Sequence, residues 1–324
     1  MSRMLKELTL ARLEDLTLGS FTFVPTSATL DHLVRFLSTW SGSDKLFQVL
    51  QYTIKLLVPF LRFRARLQHR AGLRKAPAST AADGLSKLDS LMGDARMLFR
   101  FWGLFPIIQW LSAIERNPPP TRKLLTIERL QGWSMLAYYP LEHLYYLVSH
   151  SIIPAAIPAI SLSALLAPKG SAKSKHVTLN AGSLALWSCR FWAIYVVLQF
   201  VHLREDMRLL KLRQRSLGKA KTSTVEAEKA ELKKRRNALW TELVANIGNF
   251  PLTIHWSLQG GIFKNEVWVG VFGLIAALAS WRSGWNATEL PAVSPTPGTP
   301  DIGTEKDIMN APLTQAVEES VFVL

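Results

Sequence analysis

The sequence predicts an all-α fold: a helical integral membrane protein with N-terminal amphipathic helices and two to four membrane-embedded helices beyond them. Three observations predict it. Several stretches are long and apolar enough to approach the roughly 20 helical residues that cross a bilayer. Elsewhere, apolar residues recur at helical spacing. A net charge of +14, from 38 Lys and Arg against 24 Asp and Glu, accompanies 11 Trp and a mean hydropathy of +0.13. A soluble nucleic-acid-binding domain of this charge would not carry long apolar runs as well. A membrane with an anionic face accommodates both excesses.

Residues 1–20 read as a helix with charges spread through it, including Arg3, Lys6, Glu7 and Asp15. It lacks the unbroken apolar core of a secretory signal peptide, and its acids argue against a mitochondrial presequence. The C-terminal residues Val321 to Leu324 fit neither a peroxisomal matrix tripeptide nor an ER-retrieval signal. A single cysteine, Cys189, permits no internal disulfide and no cysteine-based zinc site.

Residues 45–75 hold eight basic residues and no acid. They begin as a helix, with Leu46, Val49, Leu50, Ile54, Leu57 and Leu61 at helical spacing and Asp44 suited to the positive end of its dipole. Pro59 should bend it. Beyond the bend, Arg62, Arg64, Arg66 and Arg70 are placed to contact anionic headgroups, at about 1 kcal/mol per charge. The residues interleaved with them do not form an aromatic base-stacking platform, so nucleic acid is not expected as a partner. Residues 76–84 read as a small-residue linker.

The most informative helix is expected from Leu85 to Trp102. Leu85, Leu88, Leu91, Met92, Ala95, Leu98, Phe99 and Trp102 fall on one face, with Asp89, Asp94 and Arg100 turned away. Lys87 and Arg96 border the stripe, where long basic side chains bury their stems and reach phosphates. Arg100 joins them as an expected headgroup contact. Met97 and Phe101 fall on the polar side and require a second partner. Asn117 and the three prolines after it must be extended.

Residues 144–167 carry no charge, although Pro154 and Pro158 should kink or break a helix there. Residues 183–203 carry only Arg190, which costs about 2.5–3.5 kcal/mol at a helix centre. Arg190 reads either as a snorkelling residue near a helix end or as a solute contact in a pore. Residues 204–236 hold twelve basic and five acidic residues and should face the cytosol. Residues 239–261 are interrupted by Glu242, Asn246, Asn249, Pro251 and His255 and stay undecided. Residues 267–281 are apolar but short. From Pro291 onward the composition is that of a disordered acidic tail.

The expected organisation is therefore a cytosolic amphipathic region over 1–103 and a membrane region over 104–203, with spans at 144–167 and 183–203. A basic cytosolic loop over 204–238, a second membrane region over 239–283 and the tail over 284–324 complete it. No phosphate loop, dinucleotide fingerprint, nucleophile elbow or zinc helix is present. The reading assigns no catalytic residue, cofactor or metal. Glu142, His143 and His150 share a helical face, but beside Tyr138, Tyr139, Tyr145 and Tyr146 they read as an interfacial aromatic belt.

Several ordered runs resemble the peroxin-11 family of peroxisomal membrane proteins. Phe36-Leu37, Gly42, Asp44-Lys45 and Leu50-Gln51-Tyr52 are similar to its N-terminal signature. The run from Ala95 to Gly103 resembles its membrane-inserting helix, departing from it at Met97 and Trp102. Glu128 to Trp133, continuing into Tyr139 to His143, is similar to a fungal branch labelled the C-type member. The resemblance implies a multi-pass protein of the peroxisomal membrane with a cytosolic N-terminal region. Its helix would wedge into the outer leaflet and prepare the organelle for fission. Homo-oligomers and a dynamin-type GTPase with its adaptors are the partners implied, beside anionic lipids. The family's link to fatty-acid oxidation and metabolite permeability leaves a pore or metabolite transporter as the alternative.

Overall fold

The computed structural model describes residues 27–158, 176–217 and 225–289, together with Thr17, Gly19 and Pro25. The helix expected over 1–20 and the acidic tail beyond residue 289 lie outside the described residues, as does the turn-forming stretch 170–175.

Eight α-helices occur among the described residues: α1 (Ala28–Ser38), α2 (Trp40–Arg70), α3 (Thr80–Phe99), α4 (Leu104–Arg116), α5 (Arg122–Ser149), α6 (Ala181–Leu217), α7 (Val225–Ser257) and α8 (Glu266–Ala287). A 3-10 turn, Arg100–Gly103, joins α3 to α4. The helical fold class holds, with one small addition. Strands β1 (Ala156–Pro158) and β2 (His176–Thr178) pair antiparallel, Ala156 opposite Thr178.

Local chemistry sets the boundaries. Thr39, Ser79 and Thr121 cap α2, α3 and α5 by accepting from the amides of Gly42, Ala82 and Leu124. At the end of α2, Gly72 adopts φ +72°. Its amide reaches the His69 carbonyl, and that of Leu73 reaches Gln68. This paired closure needs a left-handed residue, which glycine supplies without steric cost. α2 continues through Pro59. The expected linker over 76–84 ends earlier, because Ser79 starts α3. The triproline segment lies between α4 and α5, as its missing amide donors require.

The helices pack as a series of neighbours: α3 on α2, α2 on α8, α8 on α7, α7 on α6, α6 on α5 and α5 on α4. One core joins all of these except α3, with Tyr52, Ile107, Met135, Trp192, Leu252 and Ala277 contributed by six different helices, and α3 packs on α2 in a separate cluster. α8 can sit between two neighbours because its contact residues are small. Gly270 and Gly273 meet Leu56 and Tyr52 of α2, while Gly248 of α7 lies against the backbone of Phe272 and Ala276. Where lipid removes the ordinary hydrophobic driving force, such close approach gives the dispersion contacts that hold helices together. At the far end of α8, His32 Nε2 of α1 lies 3.1 Å from the Trp285 carbonyl and 3.0 Å from Thr288 Oγ1. Phe36 stands edge-on to Trp281 at 4.8 Å.

A polar seam runs between α5, α6 and α7. Gln131 donates to Gln199, which in turn donates to Glu242. His202 Nε2 is 3.1 Å from Glu128, and Lys123 reaches Glu205 at 2.9 Å. The interruptions seen in residues 239–261 are the inner side of α7: Asn246, Asn249 and Thr253 are buried, while Trp240, Val244 and Ile247 are exposed.

Several expectations are corrected. The segment 144–167 is not one helix, since α5 stops at Ser149 and residues 156–158 form a strand; residues 159–167 lie outside the described residues. The segment 183–203 falls within α6, one of three helices long and apolar enough to cross a membrane; the others are residues 80–116 and α8. The expected basic loop over 204–238 is instead mostly the continuation of α6 and α7, joined by an Arg213–Glu228 pair at 2.5 Å. Tyr138, Tyr139 and Tyr146 are buried rather than forming an aromatic belt, because α5 turns them toward its neighbours. Arg190 lies on an exposed face, 4.7 Å over the Trp187 ring.

Candidate membrane interface

α2 and α3 form an antiparallel hairpin whose facing sides carry complementary chemistry. Ala82, Leu85 and Met92 of α3 pack with Ile54, Val58 and Leu61 of α2, and Phe99 lies edge-on to Trp40 at 4.9 Å. Beside this apolar contact runs a ladder of ion pairs. At the tip, Arg62 meets Asp83 at 3.5 Å with both side chains exposed. Midway, Lys55 reaches Asp89 at 2.8 Å. At the base, Arg96 Nε donates to Asp44 Oδ1 at 2.9 Å, and its Nη1 donates to Gln51 at 2.9 Å.

The stripe expected on one face of α3 is therefore divided. Met92 is buried and Leu85, Ala95 and Phe99 are half-buried, whereas Leu88, Leu91, Leu98 and Trp102 stay exposed. Two more exposed apolar residues, Phe105 and Ile108 of α4, continue the exposed row. The Trp102 and Phe105 rings stack at 6.2 Å across the 3-10 turn. The sequence reading missed these two because it ended the helix at Gly103. Their spacing, with Phe105 three residues after Trp102 and Ile108 three after that, continues the helical period across the turn.

The basic residues also divide. Lys87, Arg62, Arg64, Arg66 and Arg70 are exposed, with the exposed Phe60, Phe63 and Leu67 interleaved among the arginines. Arg96 and Arg100 are not free for headgroups. Arg96 is 6% exposed, and Asp44 turns inward to meet it instead of serving the dipole of α2. Arg100 Nη2 donates to Glu142 of α5 at 2.7 Å, where the Tyr138 hydroxyl also donates at 2.6 Å. The physical reason is the same for both: a buried carboxylate on a neighbouring helix needs a cationic partner. Phe101, which required a second partner, stacks on His143 at 4.2 Å, while His143 donates to the Arg100 carbonyl at 3.2 Å.

This arrangement offers a hairpin with one side committed to the bundle and an apolar row left without protein cover. Exposed apolar side chains and exposed basic side chains thus occur together on this hairpin.

Comparison with known proteins gives a consistent result. The Peroxisomal biogenesis factor 11 (PEX11) family matches residues 30–161 and 166–285. Peroxisomal membrane protein 11B of Arabidopsis thaliana is 22% identical over 257 residues, covering 79% of this chain and 97% of that protein. An uncharacterised protein of Schizosaccharomyces pombe is 26% identical over 209 residues, covering 64% of this chain and 80% of its own length. No solved structure matches the chain.

Proposed function

The chain belongs to the Peroxisomal biogenesis factor 11 family, and from that premise we propose that it remodels and elongates the peroxisomal membrane as peroxisomes proliferate and divide. The inserting element is α3 with its continuation into α4, entering the cytosolic leaflet. The observation that carries this reading is the uncovered row Leu88, Leu91, Leu98, Trp102, Phe105 and Ile108. Each large apolar side chain moved from water into the acyl boundary contributes about 1.5–3 kcal/mol. Added area in one leaflet bends it.

Arg62, Arg64, Arg66, Arg70 and Lys87 supply the electrostatic part, drawing the hairpin to anionic lipid. α6 and α8, each long and apolar enough to cross a membrane, anchor the protein in the peroxisomal membrane. The role is structural and requires no catalytic chemistry. Second copies of the chain and a dynamin-type GTPase with its adaptors are the partners this reading assigns, the latter acting once the tubule exists.

The test is reconstitution of the full chain into vesicles of anionic or neutral composition, viewed by electron microscopy. Tubules on anionic vesicles, lost in a Leu91→Asp/Trp102→Asp variant, support the proposal. Unchanged spheres with wild-type protein would sink it. A fluorescent fusion located outside peroxisomes would separately refute the assigned compartment.

A further inference from the structure

We infer that Arg96 and Arg100 are positioning residues: they clasp the base of α3 to α2 and α5, so that the helix enters the membrane as part of a docked hairpin. The inference rests on the wedge assigned above, and it concerns how that wedge is held.

Both arginines lie at the C-terminal end of α3, where a freely lying interfacial helix would turn its basic residues to phosphate. Here each is taken by protein. The guanidinium of Arg96 forks onto both carboxylate oxygens of Asp44, at 2.9 and 3.4 Å, and onto Gln51 at 2.9 Å. The two side chains retain only 7% and 5% of their exposure. Arg100, one turn later and at the start of the 3-10 turn, reaches another helix. Its carboxylate partner Glu142 is buried as well. The two clasps thus reach two different helices. Between them, α3 is held at its base, since separating Arg96 from Asp44 strips a buried carboxylate of its hydrogen-bonded cation.

The clasps give the exposed row a fixed direction. An apolar row on a free helix rotates to whatever depth suits it. A row pinned at its base transfers the lateral pressure of insertion to α2 and α5, and through them to the membrane-embedded bundle.

The decisive variant is Arg96→Lys in the full-length protein. Lysine keeps the charge and serves a phosphate equally well, but it cannot fork onto Asp44 and Gln51 together. Spin labels at Leu57→Cys and Ser90→Cys, in a Cys189→Ser background, report the separation of α2 and α3 with and without anionic vesicles; Ser90 is exposed and lies outside the inserting row. The expected result is an unchanged, narrow distance for the parent protein on vesicles and a broadened one for Arg96→Lys. Vesicle binding should stay within about twofold of the parent, while tubulation falls at least tenfold. Swapping the pair, Asp44→Arg with Arg96→Asp, should restore both the distance and the tubules.

A parent distance that widens on vesicles, or an Arg96→Lys protein indistinguishable from the parent, overturns the clasp. Should the swap fold poorly, Gln51→Ala replaces it: this variant removes one arm of the fork and should show an intermediate broadening, and none would count against the inference. A parent protein that never tubulates would refute the wedge, and the spin-label distances would still decide the clasp.

Discussion

Gly273 of α8 lies so close to the ring of Tyr52 in α2 that a β-carbon at position 273 would overlap it. The contact joins α8, which is long and apolar enough to cross a membrane, to the hairpin that carries the candidate interface. Any side chain there must push α2 away, and α3 with it.

Gly273→Val is therefore expected to destabilise the protein by about 1–3 kcal/mol through overpacking. The thermal midpoint in detergent should fall, and Tyr52→Ala in the same chain should recover part of the loss. A midpoint equal to the parent's would mean that α2 and α8 are not packed as described.

Leu91 and Met92 are adjacent in sequence but differ in exposure, at 66% and 6%. Leu91→Gln should leave folding stability within about 0.5 kcal/mol and reduce vesicle tubulation. Met92→Gln should cost about 2 kcal/mol or more, from lost packing and an unpaired buried amide. Equal effects on stability from the two variants would contradict the division of the stripe.

Replacing Arg64, Arg66 and Arg70 by alanine removes about 3 kcal/mol of attraction to an anionic surface, at about 1 kcal/mol per charge. That corresponds to roughly a hundredfold weaker capture of anionic vesicles by the protein held in neutral-lipid nanodiscs. The difference should vanish in high salt, where such exposed charges are screened. A salt-independent loss would point to misfolding.

Gln199 is bonded on both sides, to Gln131 and to Glu242. Gln199→Leu leaves the buried Gln131 with a bond unmade, at about 1–3 kcal/mol, and takes one bond from the half-buried Glu242. Replacing all three by leucine should recover stability in a detergent unfolding series. If the single variant matched the parent, the seam would contribute nothing to holding α5, α6 and α7 together.

The helical class and the core of the helix from Leu85 onward were legible because they follow from periodicity, whereas the N-cap at Ser79 fell inside the stretch read as a linker. What stayed illegible was pairing between distant residues. Arg96 and Arg100 carry the same side chain as Arg64 and Arg66, and only Asp44 and Glu142, some fifty and forty positions away, separate clasp from headgroup contact. α7 stayed undecided for a related reason. Averaging over a window hides the fact that Glu242, Asn246, Asn249 and Thr253 share one side while Trp240, Val244 and Ile247 share the other. The helical period was present in those residues, but a hydropathy average does not register direction. The exposed row was cut short at Gly103 because the 3-10 turn interrupts the regular α-helix without interrupting the stripe.

The hydrogen bonds of His32 to Trp285 and Thr288 bear on sidedness. They stitch the first described helix to the last, so position 32 and position 288 lie at one end of the bundle. Whatever number of crossings lies between them, these two positions share one depth. Their sidedness becomes a matter of closure and not of counting: accessibility measured at one of them reports on the other.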